Sequence, residues 1–314
     1  MSKLYVYPKL GTFEFLGTRL GGRGLGNLLI TYARALVLAE RYKLELISPS
    51  WNSVKLGPIL RGQMDARTYS DLFDKPTGVT GLKKHFLLSV VEKYPESELL
   101  SLIGDKPLKK PISRPAIIEC SGHDGFFEDL VGYRSLIRNN LFAMLTDKNI
   151  KNINSHNLSD GIVVHIRMGD FQPVPSDLSQ IKPWLNYRLP LSWYGDIIDK
   201  IRAYTDSTIP VYVCSDGKSD ELADILCKEN VSRVFAGNSI SDIMALSSGA
   251  VMIGSGSTFS MWAAFLGGMP SIWFPNLHSS TLLEDGSIFE GEIGFDDPLP
   301  KKLLRNLKSI FHNV

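Results

Sequence analysis

The chain has 314 residues, is 44% hydrophobic and carries a formal net charge of +1 from 34 basic and 33 acidic side chains. That is enough chain and enough apolar content for one large core or two ordinary ones. The balanced charge gives no electrostatic reason to expect nucleic acid as a partner. Cys120, Cys214 and Cys227 form no even framework and fit reduced thiols in a cytosolic protein.

In chain order, Leu4–Tyr7 reads as a strand. The segment Gly21–Ala39 (GGRGLGNLLITYARALVLA) follows, with glycines at 21, 22, 24 and 26. They let the backbone turn tightly or approach a ligand closely. Leu28, Leu29, Tyr32, Leu36 and Ala39 then mark an amphipathic helix from Asn27 to Tyr42. No Lys-Ser/Thr pair follows, so this is no Walker loop, and the third glycine of a dinucleotide fingerprint is misplaced. An ordinary glycine-rich turn before a helix would look the same. Strand Leu44–Ile47 comes next, then an irregular stretch with a Pro/Lys segment at Asp105–Pro115, then strand Ala116–Cys120. The polar run Asp147–Asp160 lacks periodicity and is the expected linker. It divides the chain into domains over residues 1–155 and 156–314.

The C-terminal half alternates strand and helix. Strand Ile162–Arg167, helix Trp193–Tyr204, strand Pro210–Ser215, helix Asp220–Glu229, strand Arg233–Ala236, helix Asp242–Ser247, strand Ala250–Gly254, helix Phe259–Leu266 and strand Ser271–Phe274 predict a doubly wound parallel sheet. Two places in it suggest chemistry. In GIVVHIRMGDF, His165, Arg167 and Asp170 cluster at a strand's carboxyl end, where open α/β sheets bind ligands. The arginine fork fits phosphate, although an Arg167–Asp170 ion pair tying down a turn would give the same pattern. In GSGST, Gly254–Thr258, a buried strand feeds a small-residue turn that opens a helix. Free N–H groups, the hydroxyls of Ser255, Ser257 and Thr258, and the positive dipole end converge there on an anion. A plain strand–turn–helix connection is the alternative.

The tail, Pro298–Phe311, sets Leu303, Leu304, Leu307, Ile310 and Phe311 on one helical face and Lys301, Lys302, Arg305 and Lys308 around the rest. Such a helix docks on its own protein by default, or rests peripherally on a membrane carrying a lipid-linked substrate. No acidic strand-end pair and no His/Cys cluster has metal-ligand spacing. No segment of about 18 apolar residues runs uninterrupted.

GLGNLLITYA, HIRMGDF and SGSTFSMWAAFL, in this order, resemble the three signatures of the inverting fucosyltransferases, above all the bacterial α-1,2-fucosyltransferase family (glycosyltransferase family 11-like). CSGHDGFF, Cys120–Phe127, and the helix after it resemble that family's middle. The resemblance implies an α/β fold of GT-B type, two Rossmann-like domains facing across a cleft, the first on the acceptor side and the second binding the GDP-sugar. It implies transfer of L-fucose from GDP-fucose to a glycan hydroxyl, α-1,2-linked, for surface polysaccharide or oligosaccharide synthesis. The anomeric centre inverts, with no cofactor and no metal. Arg167 would hold the leaving β-phosphate, His165 would lie at the nucleotide, and Ser255, Ser257 and Thr258 would meet the phosphates. Gly24, Gly26 and Asn27 would form the facing loop, and Asp216, in VYVCSDG, would line the donor pocket. Asp170, or Asp177 in the next loop, would be the base, unless Asp170 only orients Arg167. An animal Golgi enzyme of this class opens with a membrane anchor; MSKLYVYPKLG lacks one, which points to a bacterial cytoplasmic enzyme or a trimmed chain. Met168 stands where the family has a second Arg, Leu28 where it has Gln, and Met261 precedes Trp262 where Trp-Trp is usual. These departures leave open another GDP-sugar, another linkage, or a silent nucleotide-sugar-binding protein.

Overall fold

The computed structural model describes residues 3–15, 17–20, 23–54, 68–99, 115–123, 125–169, 171–175, 177–182, 185, 187–206 and 208–311. The chain folds as two compact α/β units, Met1–Thr146 and Asp147–Val314. The main sheet of each unit is parallel, the α/β content expected from the sequence.

In the first unit, strands β1 (Leu4–Pro8), β4 (Glu45–Leu46), β6 (Glu92–Pro95) and β7 (Ala116–Cys120) form one sheet in the order β4-β1-β7-β6. Every pairing is parallel. A smaller sheet holds β2 (Phe13–Phe15), β3 (Thr18–Leu20) and β5 (Ser53–Val54). The helix Leu25–Tyr42 connects β1 to β4 and buries Leu28, Leu29, Tyr32 and Leu36, four of the five positions that its periodicity marks. It ends at Lys43 in the left-handed region. A buried polar knot fastens β2 to the helix Gly81–Val90. Glu14 accepts from Tyr7 Oη at 2.6 Å and Ser50 Oγ at 2.5 Å and pairs with Lys84. Each buried charge there has its opposite beside it, which burial requires.

In the second unit, β8 (Ile162–Ile166), β11 (Val211–Ser215), β12 (Val231–Arg233), β13 (Val251–Ile253), β14 (Ser271–Trp273) and β15 (Glu290–Glu292) form a six-stranded sheet. Two short strands, β9 (Gln172–Pro173) and β10 (Tyr187–Arg188), pair separately. The sheet order is β12-β11-β8-β13-β14-β15, parallel throughout. By chain order that is third, second, first, fourth, fifth, sixth, the doubly wound arrangement whose direction reverses between β8 and β13. All five residues of β8 are buried, as the β-branched run Ile162-Val163-Val164 demands of a strand covered on both faces. One face packs on the helix Leu191–Tyr204 through Trp193, Ile197, Ile198 and Ile201. The terminal helix Lys301–Phe311 docks on that same core: Leu303 and Leu307 are fully buried and Ile310 and Phe311 pack against it.

Several expectations shift. The polar run expected as a linker is, over Asp147–Asn154, a helix packed against the helix Ser239–Leu246, so the units divide at 146/147. The helix expected over Asp220–Glu229 is a single turn, Ala223–Leu226. The strand expected over Arg233–Ala236 is β12, two to three residues earlier, because Val231 pairs with Val211 and Phe235 is 68% exposed beyond the sheet. Asp105–Arg114 and Gly21-Gly22 lie outside the described residues.

Candidate active site

The switch between β8 and β13 brings two sequence-predicted segments together. β8 ends at Ile166, and Arg167 is the next residue; β13 ends at Ile253 and runs through Gly254–Ser257 into the helix Thr258–Gly267. The turn is shaped by its small residues. Gly256 is at φ +70°, where other residues are strained, and a Cβ there would lie 3.0 Å from Leu277 Cβ. A Cβ on Gly254 would run into the Trp273 indole. Ser257 is the N-cap: its Oγ accepts from the Phe259 N–H at 3.2 Å. Thr258 is the first helical residue, so the helix opens one position before the expected Phe259. The helix is ten residues long, and its capped start sets its positive dipole end just past β13.

His165 is only 4% exposed and stacks on Phe259, with ring centroids 4.5 Å apart and planes 16° apart. Its Nδ1 lies 2.7 Å from Ser260 Oγ and 3.0 Å from Ser255 Oγ. The Ser255 N–H donates to Ser260 Oγ at 3.1 Å. Burial pushes the imidazole down to about 3, and the neighbouring Arg167 charge adds to that, so the ring is neutral. His165 and Ser255 thus form, with Ser260, a latch that joins the end of β8 to the turn after β13. The sequence reading missed Ser260 and Phe259; their spacing from Ser257, inside the first helical turn, was the available signal.

Arg167 keeps about a quarter of its side-chain surface exposed and forms an ion pair with Asp216, Nη1 to Oδ2 at 2.8 Å. Its guanidinium carbon lies 5.2 Å from the Phe171 ring centroid, a cation–π contact. Asp216 follows β11, and β11 is hydrogen-bonded to β8 along its length. Asp170 lies outside the described residues. Asp177 caps its own short turn, accepting from the Ser179 hydroxyl at 2.7 Å, the Ser179 N–H at 3.0 Å and Gln180 Nε2 at 3.1 Å. Those bonds, the Ser179 hydroxyl first, hold its carboxyl below the usual range.

In the first unit Gly24 caps the helix Leu25–Tyr42 with extended backbone and no side-chain bond. A Cβ added there would meet nothing within 4 Å. Gly26 is buried, and Asn27 Oδ1 is buried without a hydrogen-bond partner among the described residues. Thr31 Oγ1 donates to Gly122 O at 2.5 Å, fixing this helix start near the end of β7. Among the described residues no three His, Cys, Asp or Glu side chains gather as a metal site would require.

The sequence profile of the family described as glycosyl transferase family 11 matches residues 123–290, more than half of the chain. The chain belongs to that family. Arg167, His165, Asp216 and the 254–258 turn all fall within the matched residues, whereas Gly24, Gly26 and Asn27 precede them. A search of curated proteins returns no match. Among solved structures the chain is similar to POFUT1 in complex with GDP-fucose, at 13% identity and a TM-score of 0.49, covering 94% of this chain and 99% of that one. It is also similar to the fucosyltransferase NodZ from Bradyrhizobium, at 14% identity and a TM-score of 0.47, covering 88% and 97%.

Proposed function

We propose that this glycosyltransferase moves L-fucose from GDP-fucose to a hydroxyl of a glycan, with inversion at the anomeric carbon and without a metal ion. The observation that carries the reading is that Arg167, just past β8, and the Ser257-capped helix start, just past β13, follow the two strands that flank the reversal point of a doubly wound sheet. A diphosphate is the ligand such a pair suits, because the fork and the dipole end both answer to negative charge. Family membership supplies the reaction class, and the three signature segments supply fucose as the sugar.

In this mechanism the C1–O bond to the β-phosphate breaks as the acceptor oxygen bonds to C1 from the opposite face. Charge collects on the departing phosphate, and Arg167 with the N–H groups and hydroxyls of Ser257 and Thr258 stabilises it. The acceptor proton leaves late, so a modest base is enough. Asp177 is a poor choice, since its carboxylate is already tied up in its own turn. Asp170 is the proposed proton acceptor. Asp216 lines the donor pocket, and His165 and Ser255 support the turn on which the phosphates rest. Gly24, Gly26 and Asn27 are the proposed ligand-binding residues of the first unit, to which acceptor binding is assigned. α-1,2 linkage and a cytoplasmic place in surface-glycan synthesis complete the proposal.

GDP release measured with a panel of nucleotide sugars in excess chelator tests it. Release from GDP-fucose, undiminished by chelator, is expected. Release only from another GDP-sugar would refute the donor assignment, and loss in chelator with rescue by manganese would refute the metal-free mechanism.

A further inference from the structure

We propose that Asp216 is a positioning residue for Arg167, and that its charge sets turnover against retention of the nucleotide. The inference rests on the assignment of Arg167 to the leaving phosphate. Asp216 makes three contacts to one turn. Oδ1 accepts the Met168 N–H at 2.8 Å, Oδ2 accepts the Gly169 N–H at 3.2 Å, and Oδ2 pairs with Arg167 Nη1 at 2.8 Å. Bonds to two successive amides fix the backbone that follows β8, and the ion pair fixes the side chain that this backbone presents. Both carboxylate oxygens are committed to the protein, which leaves Asp216 ill-suited to reading a base.

The neighbouring glycine makes the grip possible. A Cβ at position 169 would lie 2.5 Å from Asp216 Oδ2, so any larger residue must push the carboxylate away. Asp216 is itself braced from behind. The Gly217 N–H donates to Ser215 Oγ at 3.0 Å, and Arg233 at the end of β12 donates to Ser215 O at 3.0 Å, Gly217 O at 2.6 Å and Ser219 Oγ at 3.1 Å. The support thus runs from Arg233 through the 215–217 turn and Asp216 to Arg167, across the ends of three neighbouring strands.

Two effects of Asp216 oppose each other. Holding the fork in place favours the transition state, where the phosphate charge is largest. A carboxylate beside the guanidinium also repels a bound nucleoside diphosphate, which weakens ground-state binding. Removing that charge while keeping the side chain's shape therefore separates the two. Asp216→Asn is expected to lose at least about tenfold in turnover while binding GDP as tightly as wild type or more tightly. Gly169→Ala, which keeps the charge but displaces the carboxylate, is expected to lose turnover without any gain in GDP affinity.

The experiment is calorimetric titration of GDP, GDP release from GDP-fucose and thermal melting of wild type, Asp216→Asn, Gly169→Ala and Arg167→Ala. Turnover of Asp216→Asn within about threefold of wild type would overturn the inference. So would a parallel fall in turnover and GDP affinity, the mark of a purely structural role. Undiminished GDP binding by Arg167→Ala would remove the phosphate assignment itself, a different failure read from a different variant, and the positioning role with it.

Discussion

Arg167 is one residue past β8, partly exposed, and gripped by a carboxylate and an aromatic ring. A guanidinium so held serves the core little, and its replacement should spare the fold. Arg167→Ala is expected to lose transfer with little change in melting temperature. Its neighbour His165 makes the opposite case, a titratable group kept neutral inside the protein. Its folded value is about 3 and its unfolded value about 6.5, so below about 6.5 the unfolded chain binds a proton that the folded one refuses. Stability from this group is whole above that pH and is lost as pH falls toward 3. Asp242 works against it: burial raises its carboxyl to about 6 from 3.8, so between those values the folded chain takes up the extra proton. Over that range its contribution opposes that of His165, so the His165 share is isolated by difference. Urea denaturation of wild type and His165→Asn from pH 7.5 to 4.5 should show the stability gap narrowing as pH falls. A gap independent of pH would mean that the imidazole is not held neutral.

At the level of elements, the turn before the helix Thr258–Gly267 separates capping from anion binding. Ser257→Ala should cost about 1 kcal/mol of stability through the lost cap. Thr258→Ala should cost less, because the structure makes Thr258 the first helical residue rather than the cap. Both should weaken GDP in calorimetry; wild-type affinity in both would reduce the segment to a plain turn. Gly256→Val is a poor probe of phosphate access, since its positive φ and the nearness of Leu277 would damage the turn unaided. This strand–turn–helix was legible in the sequence because every residue from Gly254 to Thr258 is small and the flanking runs are apolar. The helix Asp147–Asn154 was not. Its buried face includes Asn149, which bonds to Asn238 at 3.0 Å, so polar packing replaces the apolar stripe that periodicity detects. The grip of Asp216 on the 167–169 turn was equally hidden, because it joins residues 47 to 49 positions apart in neighbouring parallel strands.

For the whole molecule, the doubly wound unit was readable from its alternation of short β-branched runs and amphipathic helices, and its core explains the fate of the tail. Leu303 and Leu307 are buried in it, whereas Lys301, Arg305 and Lys308 are exposed. Leu307→Ala should therefore cost about 2–5 kcal/mol, and reversing the three exposed charges should leave the melting temperature nearly unchanged. Equal losses from both would show that the helix is held by charge instead. No described helix is long and apolar enough to cross a membrane. The first unit was harder to read, because its small second sheet and the Glu14–Lys84 knot depend on contacts distant in sequence. In the proposed function the β8–β13 switch holds the diphosphate of the donor through the fork of Arg167. The most direct test of this is calorimetric titration of GDP into wild type and Arg167→Lys, which keeps the charge and removes the fork. GDP binding weakened by at least about tenfold, with melting temperature unchanged, is expected from the loss of bidentate contacts. Wild-type affinity in the lysine variant would contradict it.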